Sequence, residues 1–209
     1  MSSSYDHHLK LYSTESLQLS ADFDLDSIVY SHALSPIADH LLVACATQHP
    51  AIRLVDLRSG SSTHSLAGHQ GAVLSVGWSP TLEHILASGG IDGTLRLWDV
   101  RKSSGTLGVL NLEDSTGVIG FDGLGRGARN RGSGKAHGGA VNGITWTDDG
   151  HYIVSAGHDE RVRVVSLSFR LESVTISNYG SVLIDMNTKL AHSGIQPQEP
   201  THSRASAQH

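Results

Sequence analysis

Two Asp-x-Arg triplets, Asp56-Leu57-Arg58 and Asp99-Val100-Arg101, stand 43 residues apart in this chain of 209. A guanidinium offers five donors in a rigid fork that suits the carboxylates and backbone carbonyls of a partner. A tandem pair of such triplets is therefore chemistry for holding another protein. Residue types for catalysis are present as well. Ser88, His69 and Asp92 are the types of a nucleophilic triad, and fourteen histidines invite a metal reading. Yet His7-His8 and His158-Asp159 fall in turn-like segments, and neither HExxH nor a paired-cysteine spacing occurs. The GSGK string ending at Lys135 lacks the first glycine of a phosphate loop at the right spacing, and Ala136 stands where Ser or Thr is needed. No catalytic residue, metal or cofactor is expected.

Composition points the same way. Hydrophobic residues make up 38%, enough for a core, while charged residues are only 17% and glycines number 23. Low charge with much glycine suits many short strands joined by tight turns. The net charge of −5 argues against a whole-domain nucleic-acid binder. The single cysteine, Cys45, excludes an internal disulfide framework and fits a reducing compartment. No apolar run approaches the roughly 18 residues of a membrane span, and the start MSSSYDHHLKLYS has no apolar signal core. The nucleus and the cytoplasm remain.

The elements that would carry these residues show themselves as a repeat. SGGIDGTLRLWD (88–99) aligns without a gap on CATQHPAIRLVD (45–56) at a 43-residue offset, and again on SSSYDHHLKLYS (2–13). The last copy, SAGHDERVRVVS (155–166), follows after 67 residues. Each copy has a turn residue (Asp6, His49, Asp92 or Asp159) and then an alternating strand that places Lys10, Arg53, Arg96 or Arg163 on one face. Upstream, Gly68-His69 and Ala136-His137 each precede a strand-like run, and Trp78 and Trp146 each lie nine residues after their histidine.

These residues resemble the WD-repeat family, in which four-stranded units stack as propeller blades. The resemblance implies an all-β, incomplete β-propeller of about three and a half blades. It implies a partial blade at 1–13, a degenerate repeat at 14–56, a nearly complete repeat at 57–99 and a further one at 100–166. Within the last lies a Gly/Arg-rich insertion, 111–135, read as a loop on the rim. Residues 167–180 would begin a next blade, and 181–209 read as a disordered tail. Family propellers usually close with seven blades, so missing blades are expected to be encoded elsewhere. The resemblance also implies a hydrogen-bonded set of His69, Ser88, Asp92 and Trp98, which would hold a blade together and not form a triad. Where Val55 or Val165 replaces the tryptophan, apolar packing is expected instead.

The tandem triplets resemble the double Asp-x-Arg box of substrate receptors for cullin-4 ubiquitin ligases, and LASGGIDGTLRLWDVRK (86–102) matches the fuller box. Strings such as VYSHALSP, LRSGSSTHSLAGH and AHGGAVNGITWTDDG further resemble the Cockayne syndrome group A family over about residues 2–180. That resemblance implies a nuclear, non-enzymatic receptor in transcription-coupled nucleotide excision repair. Its partners would be the ligase's damaged-DNA-binding adaptor protein, through Asp56, Arg58, Trp98, Asp99 and Arg101, and repair and transcription factors. The alternatives are a generic WD-repeat scaffold with no ligase or repair role, and an arginine that merely pairs with an acidic neighbour on the rim. Direct nucleic-acid binding is not expected.

Overall fold

A computed structural model describes residues 1–102, 106–110, 135–170 and 173–177. Residues 111–134 of the insertion and the tail at 181–209 lie outside the described residues. Among the described residues every regular element is a strand. β1 (Ser2–Ser3), β2 (His8–Tyr12) and β3 (Leu19–Asp24) form a three-stranded sheet. Three four-stranded sheets follow in chain order. They are β4 to β7 (Val29–Leu34, Leu42–Thr47, Ala51–Asp56, Ser61–Ala67), β8 to β11 (Val73–Trp78, Ile85–Gly90, Leu95–Asp99, Thr106–Leu110) and β12 to β15 (Val141–Trp146, Tyr152–Gly157, Val162–Arg170, Ser173–Ser177). Every pairing is antiparallel between strands consecutive in sequence. These are the meander blades of an incomplete β-propeller.

The repeats in the sequence and the sheets are out of phase by one strand. The repeat ends with the third strand of a sheet, whereas the fourth strand comes from the residues after it. Thus β3 pairs with β2, and β7 pairs with β6. The segment 167–180 was expected to open a next blade. Instead it finishes β14 and supplies β15, the outer strand of the same sheet. The reason is exposure. β7 buries only Leu66 of its seven residues, so an outer strand carries little hydrophobic pattern to mark which sheet it joins.

In the two central sheets β5 and β9 are buried on both faces, because each of those blades packs against a neighbour on either side. In β9 all six residues of ILASGG are buried, and its small residues let the next blade come close. Between the first and second sheets lie Leu9, Phe23, Val43 and Val55. Between the second and third lie Ile52, Leu54, Leu86 and Trp98. Between the third and fourth lie Leu95, Leu97, Ile153 and Leu167. Period-2 alternation in LRLW thus sends Leu95 and Leu97 to one neighbour and Trp98 to the other. Each fully buried leucine stabilises the array by about 1.5–3 kcal/mol.

Two tryptophans tie adjacent blades through the backbone. Trp78 donates its indole N–H to the Ala33 carbonyl (3.0 Å) and Trp146 donates to the Gly77 carbonyl (2.9 Å). Both indoles sit at the end of an inner strand and reach the penultimate residue of the inner strand before it. The spacing of Trp78 and Trp146 from their histidines reflects this shared position.

Candidate protein-interaction face

Inside the third sheet, four side chains form one hydrogen-bonded line. Trp98 donates its indole N–H to Ser88 Oγ (2.8 Å), Ser88 Oγ lies 2.7 Å from His69 Nε2, and His69 Nδ1 lies 3.2 Å from both carboxylate oxygens of Asp92. The indole can only donate, so Ser88 Oγ accepts from it and donates its own O–H to Nε2, while Nδ1–H faces the carboxylate. Burial pushes Asp92 up. Hydrogen bonds from His69 and from the backbone N–H groups of Gln70 and Thr94 outweigh it and hold the carboxyl far below the usual range. A Cβ on Gly90 would stand 2.5 Å from His69 Nδ1, so only glycine leaves room for the ring. Ser88 is 0% exposed, so its hydroxyl is closed off from solvent.

The neighbouring blades solve the same position differently. In the second sheet the corresponding residues are Leu25, Cys45, His49 and Val55. Leu25, Cys45 and Val55 are buried in one apolar cluster, and burial pushes the Cys45 thiol up to about 12. In the fourth sheet Val165 replaces the tryptophan, and apolar packing alone was expected. The structure corrects this. His137 Nε2 meets Ser155 Oγ at 2.8 Å, and His137 Nδ1 meets Asp159 at 2.9 Å. Arg163 then closes the set with Nη1 2.7 Å from Asp159 and 2.6 Å from His137 Nδ1. Arg163 stands at the position of Arg96 and joins the set at its aspartate end, where Asp159 neutralises the buried guanidinium. Burial lowers the His137 pKa against the pull of Asp159. Asp159 is held far below the usual range: hydrogen bonds from Arg163, His137 and the Gly138 backbone overcome the effect of burial. Among the described residues, no group of three or more His, Cys, Asp or Glu is placed to hold a metal ion.

The Asp-x-Arg triplets follow the third strands of two adjoining sheets, β6 and β10, and so emerge on one face. Asp56 Oδ1 caps the backbone N–H of Arg58 (2.9 Å), and Asp99 Oδ1 caps that of Arg101 (3.1 Å). Both arginines are exposed. Their side chains differ. Arg101 also lays Nε and Nη2 against Asp99 Oδ1 and Oδ2, at 3.0 and 2.9 Å. This fork from Arg101 is the main reason the Asp99 carboxyl is held below its ordinary range. The guanidinium is therefore fixed in direction while 62% of its side chain stays in solvent. Arg58 has no such side-chain pairing among the described residues.

Of the residues expected to meet the adaptor, two are buried and the two arginines are exposed. Trp98 is 0% exposed and Asp99 3% exposed. The indole faces the second blade and the carboxylate is covered by its own arginine, so both can only position what lies outside them. The sequence also missed part of this face. The turns between β4 and β5 and between β8 and β9 open on the same side, bound to the triplets by Leu57 N–H to Leu41 O (3.0 Å) and Val100 N–H to His84 O (3.1 Å). Leu34, Ile37 and Leu41 are exposed there at 40%, 47% and 40%. His40 bridges the two blades: its Nε2 binds the Glu83 carbonyl (2.9 Å) and its ring stacks 6.0 Å from His84. Loop residues carry no periodic signal, so nothing in the pattern marked them. The result is a cluster of apolar side chains flanked by two cations, the composition of an interface core with a polar rim.

Residues 60–99 and 130–166 match the WD domain, G-beta repeat family. Those two stretches of the chain are WD repeats. The chain is 32% identical to the WD repeat-containing protein ATCSA-1 of Arabidopsis thaliana, over 77% of this chain and 48% of that one. It is 32% identical to the ribosome biogenesis protein ytm1 of Aspergillus terreus, over 78% of this chain and 34% of that one. A chain in the crystal structure of a mitotic checkpoint complex superposes with a TM-score of 0.57 at 22% identity, covering 77% of this chain and 41% of that chain. That last likeness shows the fold. The chain spans half or less of the length of these relatives.

Proposed function

We propose that this chain belongs to a substrate receptor of a nuclear cullin-4 RING ubiquitin ligase acting in transcription-coupled nucleotide excision repair. Its face at Arg58 and Arg101 would dock the damaged-DNA-binding adaptor protein. One observation carries the reading. Two exposed guanidinium groups occupy the same place on adjoining blades, beside the exposed apolar Leu34, Ile37 and Leu41. Arginine anchors next to apolar side chains are what a stable protein interface needs. The likeness to the WD repeat-containing protein ATCSA-1, at 32% identity over 77% of this chain, is compatible with that reading.

A second reading has its own support. The ribosome biogenesis relatives match with similar identity and coverage, which favours a WD-repeat scaffold without a ligase or repair role. Affinity purification of the tagged chain from nuclear extract separates the two. Recovery of the adaptor and cullin-4 in step with the bait supports the receptor. Recovery of ribosomal precursor particles without the adaptor overturns it.

A further inference from the structure

A second polar site lies on the opposite face, at the outer edge of the second blade. The hairpin joining β5 to β6 and the outer strand β7 enclose an open groove lined by His49, Arg53, Ser62, Thr63, His64 and Ser65. The three repeats make a controlled comparison of Arg53. Its counterpart in the fourth blade, Arg163, lies 2.7 Å from the turn aspartate Asp159. Its counterpart in the third, Arg96, donates to Thr94 (3.2 Å), which in turn binds the turn aspartate Asp92. In the second blade the turn residue is His49. Arg53 has kept its charge and lost its acid, and among the described residues its guanidinium makes no hydrogen bond or ion pair. No carboxylate lines the groove.

The edge adds a second constraint. Among the described residues β7 pairs with β6 alone, so its far side offers backbone groups that no described strand pairs, and four consecutive residues of it line the groove. Arg53 stands directly opposite Ser65 in the register. A cation half-buried in a cleft, with hydroxyl and imidazole donors spaced along a free strand edge, matches an extended peptide that carries a tetrahedral oxyanion. A phosphate monoester accepts several charge-assisted hydrogen bonds at once, and the strand edge can pair with the peptide backbone.

We propose that the groove between the β5–β6 hairpin and β7 binds an extended segment of a partner protein carrying phosphoserine or phosphothreonine, with Arg53 as the phosphate anchor. The site is independent of the adaptor-docking reading, because it lies on the other face and uses none of the same residues.

The test uses fluorescence anisotropy of the full chain with a labelled peptide, Ala-Val-Thr-pSer-Val-Thr-Ala. Its unphosphorylated form, its glutamate form and free inorganic phosphate serve as comparisons. Saturable binding at least tenfold tighter than the unphosphorylated and glutamate forms is expected, and at least tenfold weaker binding by Arg53→Gln. His49→Asp gives Arg53 the internal acid of its counterparts, so it should abolish binding while keeping the strand circular dichroism. Arg161→Gln removes an equal charge from an exposed turn of the fourth blade on the same face and should bind as the unaltered chain does. Equal loss in Arg161→Gln, undiminished binding in His49→Asp, or equal affinity for the glutamate peptide would overturn the proposal. Full competition by inorganic phosphate at the peptide's own concentration would assign the site to free phosphate and also overturn it.

Discussion

Trp146 donates its indole N–H to the Gly77 carbonyl across the gap between two blades, at 2.9 Å. Trp78 makes the same contact with Ala33 one blade earlier, at 3.0 Å. Replacing Trp146 with Phe keeps most of the ring and removes the donor. The Gly77 carbonyl then loses its partner at the blade junction, at a cost of about 1 kcal/mol. Chemical denaturation of Trp146→Phe should show a lower midpoint with an unchanged slope. An identical midpoint would mean that the blades are held by apolar packing alone.

The polar line in the third blade should matter more. Trp98→Ala empties a fully buried site and leaves Ser88 without its donor, and should cost about 3–5 kcal/mol. Ser88→Ala breaks two hydrogen bonds, leaves the indole N–H unsatisfied and should cost about 1–3 kcal/mol. Calorimetric melts of the two variants provide the comparison. Ser88→Ala as damaging as Trp98→Ala would show that the hydroxyl, and not the ring, dominates.

Acid should unfold the chain in two stages. The His137 pKa is lowered in the folded state, so the unfolded chain binds the extra proton more readily. Stability from this group is complete above the unfolded value near pH 6.5 and declines as pH falls from there through the lower folded value. The Asp92 and Asp159 pKa values are lowered too. Their contribution is complete above the unfolded value near pH 4 and disappears as pH falls through the folded values. The melting temperature should therefore drop modestly between about pH 6.5 and 5 and steeply below about pH 4. His137→Gln should flatten the first stage. A melting temperature constant from pH 7 to 5 would contradict a neutral, buried His137.

Cys45 is 0% exposed and its thiol is pushed up to about 12. A thiolate-directed reagent at pH 8 should leave the native chain unlabelled and label it fully in denaturant. Rapid labelling without denaturant would mean that the second blade opens on its own.

The third blade was legible in the sequence because its resemblance to the WD-repeat family implies the set of His69, Ser88, Asp92 and Trp98, and the structure joins those four side chains. The fourth blade was harder to read. Losing the indole at Val165 hid a polar set that Arg163 completes from a strand position resembling an ordinary solvent-facing arginine. The boundaries of the sheets were hidden for the same kind of reason, since β7 exposes almost every side chain. Neither tryptophan staple could be read from residue types, because the acceptors are the backbone carbonyls of Ala33 and Gly77. On the candidate face, Arg58 and Arg101 were visible by their spacing, while Leu34 ends β4 and Ile37, His40 and Leu41 lie in the turn after it, with no periodicity to mark them. The different settings of the two arginines also depend on rotamers that no spacing encodes.

In the proposed receptor role, Arg58 and Arg101 anchor the cullin-4 adaptor. This role is tested most directly by measuring adaptor binding to the chain with both arginines changed to alanine, alongside each single change. Truncating one side of a buried charged contact costs about 2–5 kcal/mol and acts chiefly on dissociation. The double variant should keep its melting temperature within a few degrees and lose adaptor binding, with each single variant dissociating at least tenfold faster. A folded double variant that binds the adaptor as tightly as the unaltered chain would contradict the account.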